Sequence, residues 1–236
     1  MMRIDKYLAH CGYGSRTEVK KIIKNKLVFC NEILVTKDDL KINPELDEII
    51  VEGERSSYQQ YVYIMLNKPA GYISSNYDPI HKVTKELIKE FDHFQTFPVG
   101  RLDLDTEGLL LLSNDGKLAH DLLSPRKHVD KMYYVEFSGT YREIYTSLFE
   151  SGITLEDGYL TMPAKIELLA DNKANLTIQE GKYHQVKRMF EALDMKVTYL
   201  KRMTFGPLHL DPNLKKGSYR LLSDDEVLLL KNHKEA

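Results

Sequence analysis

Val99-Gly-Arg-Leu-Asp-Leu-Asp-Thr-Glu-Gly-Leu-Leu-Leu-Leu-Ser-Asn-Asp-Gly116 is the most informative stretch of the chain. A polar run holding Gly100, Arg101, Asp103, Asp105 and Thr106 passes straight into four consecutive leucines, which reads as a loop feeding a buried strand. Loops anchored on a rigid strand are where catalytic and binding groups are often held. Asp103 and Asp105 lie two apart, so in extended backbone their side chains share a face. On residue types alone the pair admits three readings: carboxylates for glycoside chemistry, part of a metal site, or an Arg-paired structural turn.

Outward from this stretch the pattern alternates between short strands and helices. Strands are expected at 61–66, 107–112, 132–137, 164–169, 175–178 and 197–203, and helices at 83–91, 117–123, 142–149, 183–193 and 224–231. In the 183–193 helix Val186, Met189, Phe190 and Leu193 make a core stripe, leaving His184, Lys187, Arg188 and Glu191 off it. Strands mixed with segregated helices predict an α+β domain with a mixed, mainly antiparallel sheet. Glycine-rich phosphate loop, GxSxG and HExxH patterns are all missing, which argues against nucleotide hydrolysis, serine hydrolysis and zinc proteolysis.

The composition is that of an ordinary globular protein: 236 residues, 42% hydrophobic, 29% charged, formal net charge −2. No run reaches the roughly 18 apolar residues of a membrane span, and the start MMRIDKYLAH lacks a signal-peptide apolar stretch. Cys11 and Cys30 are too few for a disulfide framework or zinc cluster, and free thiols suit a reducing cytoplasm.

The neutral total hides an uneven distribution. Residues 1–30 carry seven basic side chains against two acids, net +5, whereas 31–57 carry three against eight, net −5. The polar stretch Gly53–Gln60 suits a linker, so the chain is divided into domains 1–57 and 58–236. The front domain reads as two short helices followed by strands. Ile4, Leu8 and Cys11 recur at helical spacing, Gly12 and Gly14 end that helix, and Ser15-Arg-Thr-Glu18 is a capping box for the next. Arg16, Lys20 and Lys24 stack along one side of the second helix, and a hairpin is expected around Asn31. Charge alone would allow this stripe to be a solvated face.

Arg3-Ile-Asp-Lys-Tyr-Leu-Ala9, Gly14-Ser-Arg-Thr-Glu18 and Asn31-Glu-Ile-Leu-Val35 together resemble the S-four-type (alpha-L) RNA-binding domain. The resemblance covers residues 2–52 and implies that Arg16, Lys20, Lys21 and Lys24, with Arg3 and Lys6 beside them, meet RNA phosphates. Such contacts position a protein without reading sequence.

The second domain carries a further resemblance. Met65-Leu-Asn-Lys-Pro-Ala-Gly-Tyr72, Asp78-Pro-Ile-His81, Gly100-Arg-Leu-Asp103, Ser124-Pro-Arg126, Lys131-Met-Tyr-Tyr-Val135 and Glu180-Gly-Lys-Tyr-His-Gln-Val-Lys-Arg-Met-Phe190 occur in the order found in pseudouridine synthases. They are most similar to the small-subunit branch acting on uridine 516 of 16S rRNA, with departures at Ala70-Gly71 and Asp105-Thr-Glu107. The reaction implied breaks an N–C glycosidic bond and remakes a C–C bond on the same ribose, on a base drawn out of its stack. It implies no redox change, metal or nucleotide, so no cofactor is expected.

The resemblance makes Asp103 the essential carboxylate and Lys187 its basic partner, with Arg188 as the alternative. Tyr133 would stack on the target base and assist proton transfer, and Arg101 would hold a phosphate. Arg126, His184 and Arg188 are expected to contact RNA, and residues 181–206, with six basic side chains against two acids, support that. The spacings of His81, His128 and His184 fit no recognised metal-ligand set. The expectation is a monomeric, cytoplasmic rRNA isomerase with no membrane or nucleotide partner. Its rivals are a large-subunit rRNA synthase, a non-catalytic assembly factor and a glycoside hydrolase.

Overall fold

The computed structural model describes residues 1–124 and 127–232. Two compact units emerge, Met1–Val62 together with Lys89–Thr96, and Tyr63–Ile88 together with the chain from Phe97 onward.

In the first unit, helices Ile4–His10 and Arg16–Lys24 pack against a four-stranded antiparallel sheet ordered Ile33–Leu34, Val28–Cys30, Ile49–Val51, Glu54–Arg55. Ile4, Tyr7, Leu8, Val19, Ile23, Val28 and Ile49 form its core. The capping box is in place: Glu18 N–H donates to Ser15 Oγ at 3.4 Å, and Ser15 N–H donates to Glu18 Oε2 at 2.7 Å. It starts the second helix and so fixes where Arg16, Lys20 and Lys24 emerge.

One expected helix does not form. Residues 83–91 break at Ile88 (φ −131°, ψ 36°) into two 3₁₀ pieces, Thr84–Leu87 and Lys89–Phe94. Ile88 is buried and stays with the second unit, while Lys89–Thr96 joins the first. There Phe94 meets the His10 ring edge-on at 5.3 Å, and the His93 ring covers Gly12. The break at Ile88 falls where the chain passes from one unit to the other, so no single helix spans both.

The second unit is built on one sheet ordered Lys165–Ala170, Lys173–Ile178, Lys131–Ser138, Lys196–Arg202, Glu107–Ser113, Tyr63–Lys68, Tyr219–Leu221, with Phe97–Val99 also pairing with Glu107–Ser113. All pairs in it are antiparallel except Glu107–Ser113 beside Lys196–Arg202, where Glu107 faces Lys201 and Gly108 faces Arg202. The leucine strand is buried along its whole length, and Lys131–Ser138 alternates burial so that Tyr133 points inward and Tyr134 outward. Gly108 (φ +98°) is required at the parallel junction, because a Cβ there would lie 2.2 Å from the Arg202 carbonyl oxygen. Helices Ile144–Ser151 and Gln185–Glu191 are fixed by aromatic packing, with Phe190 5.0 Å from Phe137 and 5.4 Å from Phe149 between ring centroids. That packing sets the face on which Lys187 projects.

Candidate active site

The Gly100–Thr106 loop joins two paired strands, and its backbone is fastened from several sides. The buried Lys68 ammonium donates to the carbonyls of Thr106 at 2.7 Å, Asp103 at 2.9 Å and Pro69 at 3.1 Å. Ser74 Oγ donates to the Leu102 carbonyl at 2.9 Å and accepts from Leu102 N–H at 3.0 Å. The fully buried Arg202 donates Nη2–H to the Gly100 carbonyl and Nε–H to the Leu109 carbonyl, both at 2.8 Å. Main-chain bonds thus fix the loop without using its carboxylates.

Asp103 is 30% exposed and lines a cavity with Arg101, Tyr133, Ile178, His184 and Leu200. Lys187 Nζ lies 3.4 Å from Asp103 Oδ2 and 2.6 Å from Asp105 Oδ1, and His184 Nε2 lies 3.8 Å from Asp103 Oδ2. Partial burial works against ionisation of Asp105, yet the hydrogen bond and charge of Lys187 outweigh it and hold this carboxyl below its usual range. His184 takes a left-handed conformation (φ +50°) just ahead of the Gln185–Glu191 helix and stacks on the exposed Tyr183 at 3.8 Å.

The structure therefore brings Asp103, Tyr133, Lys187, His184 and Arg101 to one place. Arg188 goes elsewhere, its Nη2 lying 2.6 Å from Asp157, so Lys187 is the cation beside Asp103. Arg126 lies outside the described residues. In the first unit Lys6, Arg16, Lys21 and Lys24 are exposed and form no salt bridge among the described residues. Arg3 is engaged with Asp5, and Lys20 with Asp38 at 2.9 Å. Among the described residues no three His, Cys, Asp or Glu side chains are grouped to hold a metal, and no helix is long and apolar enough to cross a membrane.

Sequence reasoning missed the loop's fasteners, Lys68, Ser74 and Arg202. The available signal for Lys68 was a lysine ending the strand Tyr63–Lys68, which is apolar through Leu66, since buried lysines are rare without a task.

A buried sheet presenting a loop carboxylate beside an inward tyrosine and a lysine is the arrangement of an enzyme active site, and comparison with known proteins gives the class. Residues 62–192 match the family model described as RNA pseudouridylate synthase, and residues 2–46 match the S4 domain. An uncharacterised RNA pseudouridine synthase of Bacillus subtilis, YtzG, is 44% identical over 97% of this chain and 98% of its own. The ribosomal small subunit pseudouridine synthase A of Haemophilus influenzae is 39% identical over 96% of this chain and 98% of its own. A crystal structure of a pseudouridylate synthase superposes with a TM-score of 0.69 at 38% identity, covering 98% of this chain and all of that one. The chain belongs to the RNA pseudouridylate synthase family and carries an S4 domain at its front. It is an isomerase with the mixed-sheet catalytic domain of that family.

Proposed function

We propose that this chain converts one uridine of bacterial 16S rRNA to pseudouridine, as a monomeric cytoplasmic enzyme that needs no metal or nucleotide. The observation that carries the reading is the meeting of Asp103 and Tyr133 in one cavity with Lys187 at the carboxylate. Support for the substrate comes from the relatives named for the small ribosomal subunit, which match along nearly the whole chain.

In this reading the target base leaves its stack and enters the cavity, where Tyr133 stacks on it. Asp103 engages the nucleoside while the N1–C1′ bond breaks. The freed uracil turns, C5 bonds to C1′, and the proton lost from C5 is balanced by one gained at N1. The ammonium of Lys187 stands beside this carboxylate, 3.4 Å from Asp103 Oδ2. Arg101, exposed and without a salt bridge among the described residues, is placed to hold a phosphate of the displaced strand. The front domain, residues 1–57 by the sequence division, supplies sequence-independent affinity, and residues 58–236 supply the chemistry.

Mapping pseudouridines in rRNA from cells lacking this protein, complemented with the wild type or Asp103→Ala, tests the proposal. One 16S site should vanish and return only with the wild type. A lost site in the large subunit would redirect the substrate, and full rescue by Asp103→Ala would end the assignment of the carboxylate.

A further inference from the structure

A second cavity, of about 530 Å³, adjoins the Asp103 pocket and shares Arg101, Tyr133, Gly181 and Lys182 with it. Two of its lining residues are buried cations, Lys131 at 7% exposure and Arg202 at 1%. Neither forms a salt bridge among the described residues. The Lys131 ammonium donates to the carbonyls of Val129 at 2.7 Å and Gln179 at 3.4 Å, and the Arg202 guanidinium donates to those of Gly100 and Leu109. Both cations also face the Phe205 ring, at 5.7 and 5.1 Å from its centroid, which offers no negative charge to balance them.

The nearby carboxylates do not complete them. Glu180 also lines the cavity, but its oxygens accept from Tyr159 O–H at 2.7 Å, Gln185 Nε2–H at 2.7 Å and Met162 N–H at 2.8 Å. Asp130 is exposed and accepts from Gln179 Nε2–H. Burial pushes the Lys131 ammonium down to about 8, and the charge of Arg202 adds to the push, while Asp130 and Glu180 oppose it. Two buried positive charges that repel each other are costly unless an anion joins them.

The rest of the lining selects the kind of anion. Leu122, Leu123 and Met162 give an apolar wall, and Tyr133 and Tyr159 add two aromatic rings. A flat base or ribose against such a wall, with a phosphate at the cations, is a nucleotide. We propose that this cavity seats the nucleotide adjacent to the target uridine, with its phosphate bound by Lys131 and Arg202. The inference rests on the reading of RNA as substrate. It adds a site that fixes the strand beside the reacting base, with Arg101 and Tyr133 as the wall between the two positions.

The test uses the full chain and an oligoribonucleotide from 16S rRNA centred on the mapped uridine. Either flanking phosphodiester is replaced, one at a time, by an uncharged methylphosphonate. Binding is followed by fluorescence anisotropy and pseudouridine formation is followed separately. For the wild type, one of the two replacements should weaken binding about tenfold, as expected when a charge-assisted hydrogen bond is removed. In Lys131→Gln that replacement should cost clearly less than tenfold, because only Arg202 still meets the phosphate, and Lys131→Arg should restore the full loss. If neither linkage matters in the wild type, or if the two losses simply add in Lys131→Gln, the subsite is refuted. Should Lys131→Gln fail to unfold cooperatively, the methylphosphonate scan on the wild type decides alone. Coupled binding without any pseudouridine formed would uphold the subsite and overturn the proposed activity instead.

Discussion

Lys187 Nζ stands 2.6 Å from Asp105 Oδ1 and 3.4 Å from Asp103 Oδ2, so one ammonium serves two carboxylates. The closer partner is the more exposed one, at 70% against 30%, and that is the position a solvent-screened pair occupies. Asp103, farther from the cation, lines the cavity and keeps its oxygens available to a substrate.

Asp103→Ala should therefore abolish pseudouridine formation, a loss of at least about a thousandfold, with little change in RNA affinity. Asp105→Ala should keep measurable turnover, because Lys187 remains beside Asp103. Single-turnover rates on a common substrate decide the matter, and a reversal of the two phenotypes would mean the wrong carboxylate has been chosen.

Lys68 acts through the loop. Lys68→Met removes the donor that ties the Asp103 and Thr106 carbonyls together, and turnover should fall about 10- to 100-fold as the carboxylate loses its position. The same lysine sets a pH dependence. Burial lowers it from 10.5 to about 8 in the folded protein, so between these values the unfolded chain binds more protons. Its contribution to stability must then rise with pH through that window, by about 3 kcal/mol at most, and stay at its unfavourable limit below it. Denaturant titrations from pH 7 to 10 should show this rise in the wild type and a smaller one in Lys68→Met. Equal slopes would mean the ammonium is not desolvated as the geometry requires.

The basic stripe of the first unit is not uniform. Lys20 already faces Asp38 at 2.9 Å, whereas Arg16 and Lys24 form no salt bridge among the described residues. Arg16→Gln and Lys24→Gln should weaken RNA binding more than Lys20→Gln does. Every phosphate left without its cation should also flatten the log–log salt dependence by about 0.7 to 0.9. Affinities measured at several salt concentrations for the three variants provide the check. Identical slopes throughout would reduce the stripe to a solvated helix face.

Metal removal should be silent in the chemistry. Pseudouridine formation on a short unstructured substrate is expected to proceed at full rate in excess chelator without added nucleotide. A magnesium requirement that persists on such a substrate would contradict the mechanism, since RNA folding could not account for it.

The strands of the catalytic sheet were legible because their leucine, valine and isoleucine runs are short and bounded by polar turns, and each expected strand lies within a few residues of an observed one. The Ser15–Glu18 capping box was legible for a local reason, because both partners lie within one turn. Residues 83–91 misled because their apolar spacing is helical while their burial is divided between two units. The edge strand Tyr219–Leu221 was missed because three half-exposed residues leave no alternation to read. At the site, the motifs pointed to Asp103, Tyr133 and Lys187, which the structure brings together. The choice between Lys187 and Arg188 needed three dimensions, since neighbours on a helix point about 100° apart and only the fold shows Arg188 turned to Asp157. The loop's fasteners escaped for the same reason. Lys68 and Arg202 act on carbonyl groups, so even where the strand pattern marks Lys68 as unusual its partners are not read from side chains.

The pairing of Gly108 with Arg202 also orders events during synthesis. The loop that bears Asp103 is made early, but Arg202, which holds its Gly100 carbonyl, and the strand beside Glu107 leave the ribosome roughly a hundred residues later. Contacts so distant in sequence form late, whereas the unit containing the S4 domain is complete once Thr96 has emerged. A nascent chain can thus grip RNA while its chemistry is still disassembled. The order of the chain separates the two tasks, with the RNA-binding unit made before the catalytic loop is fastened.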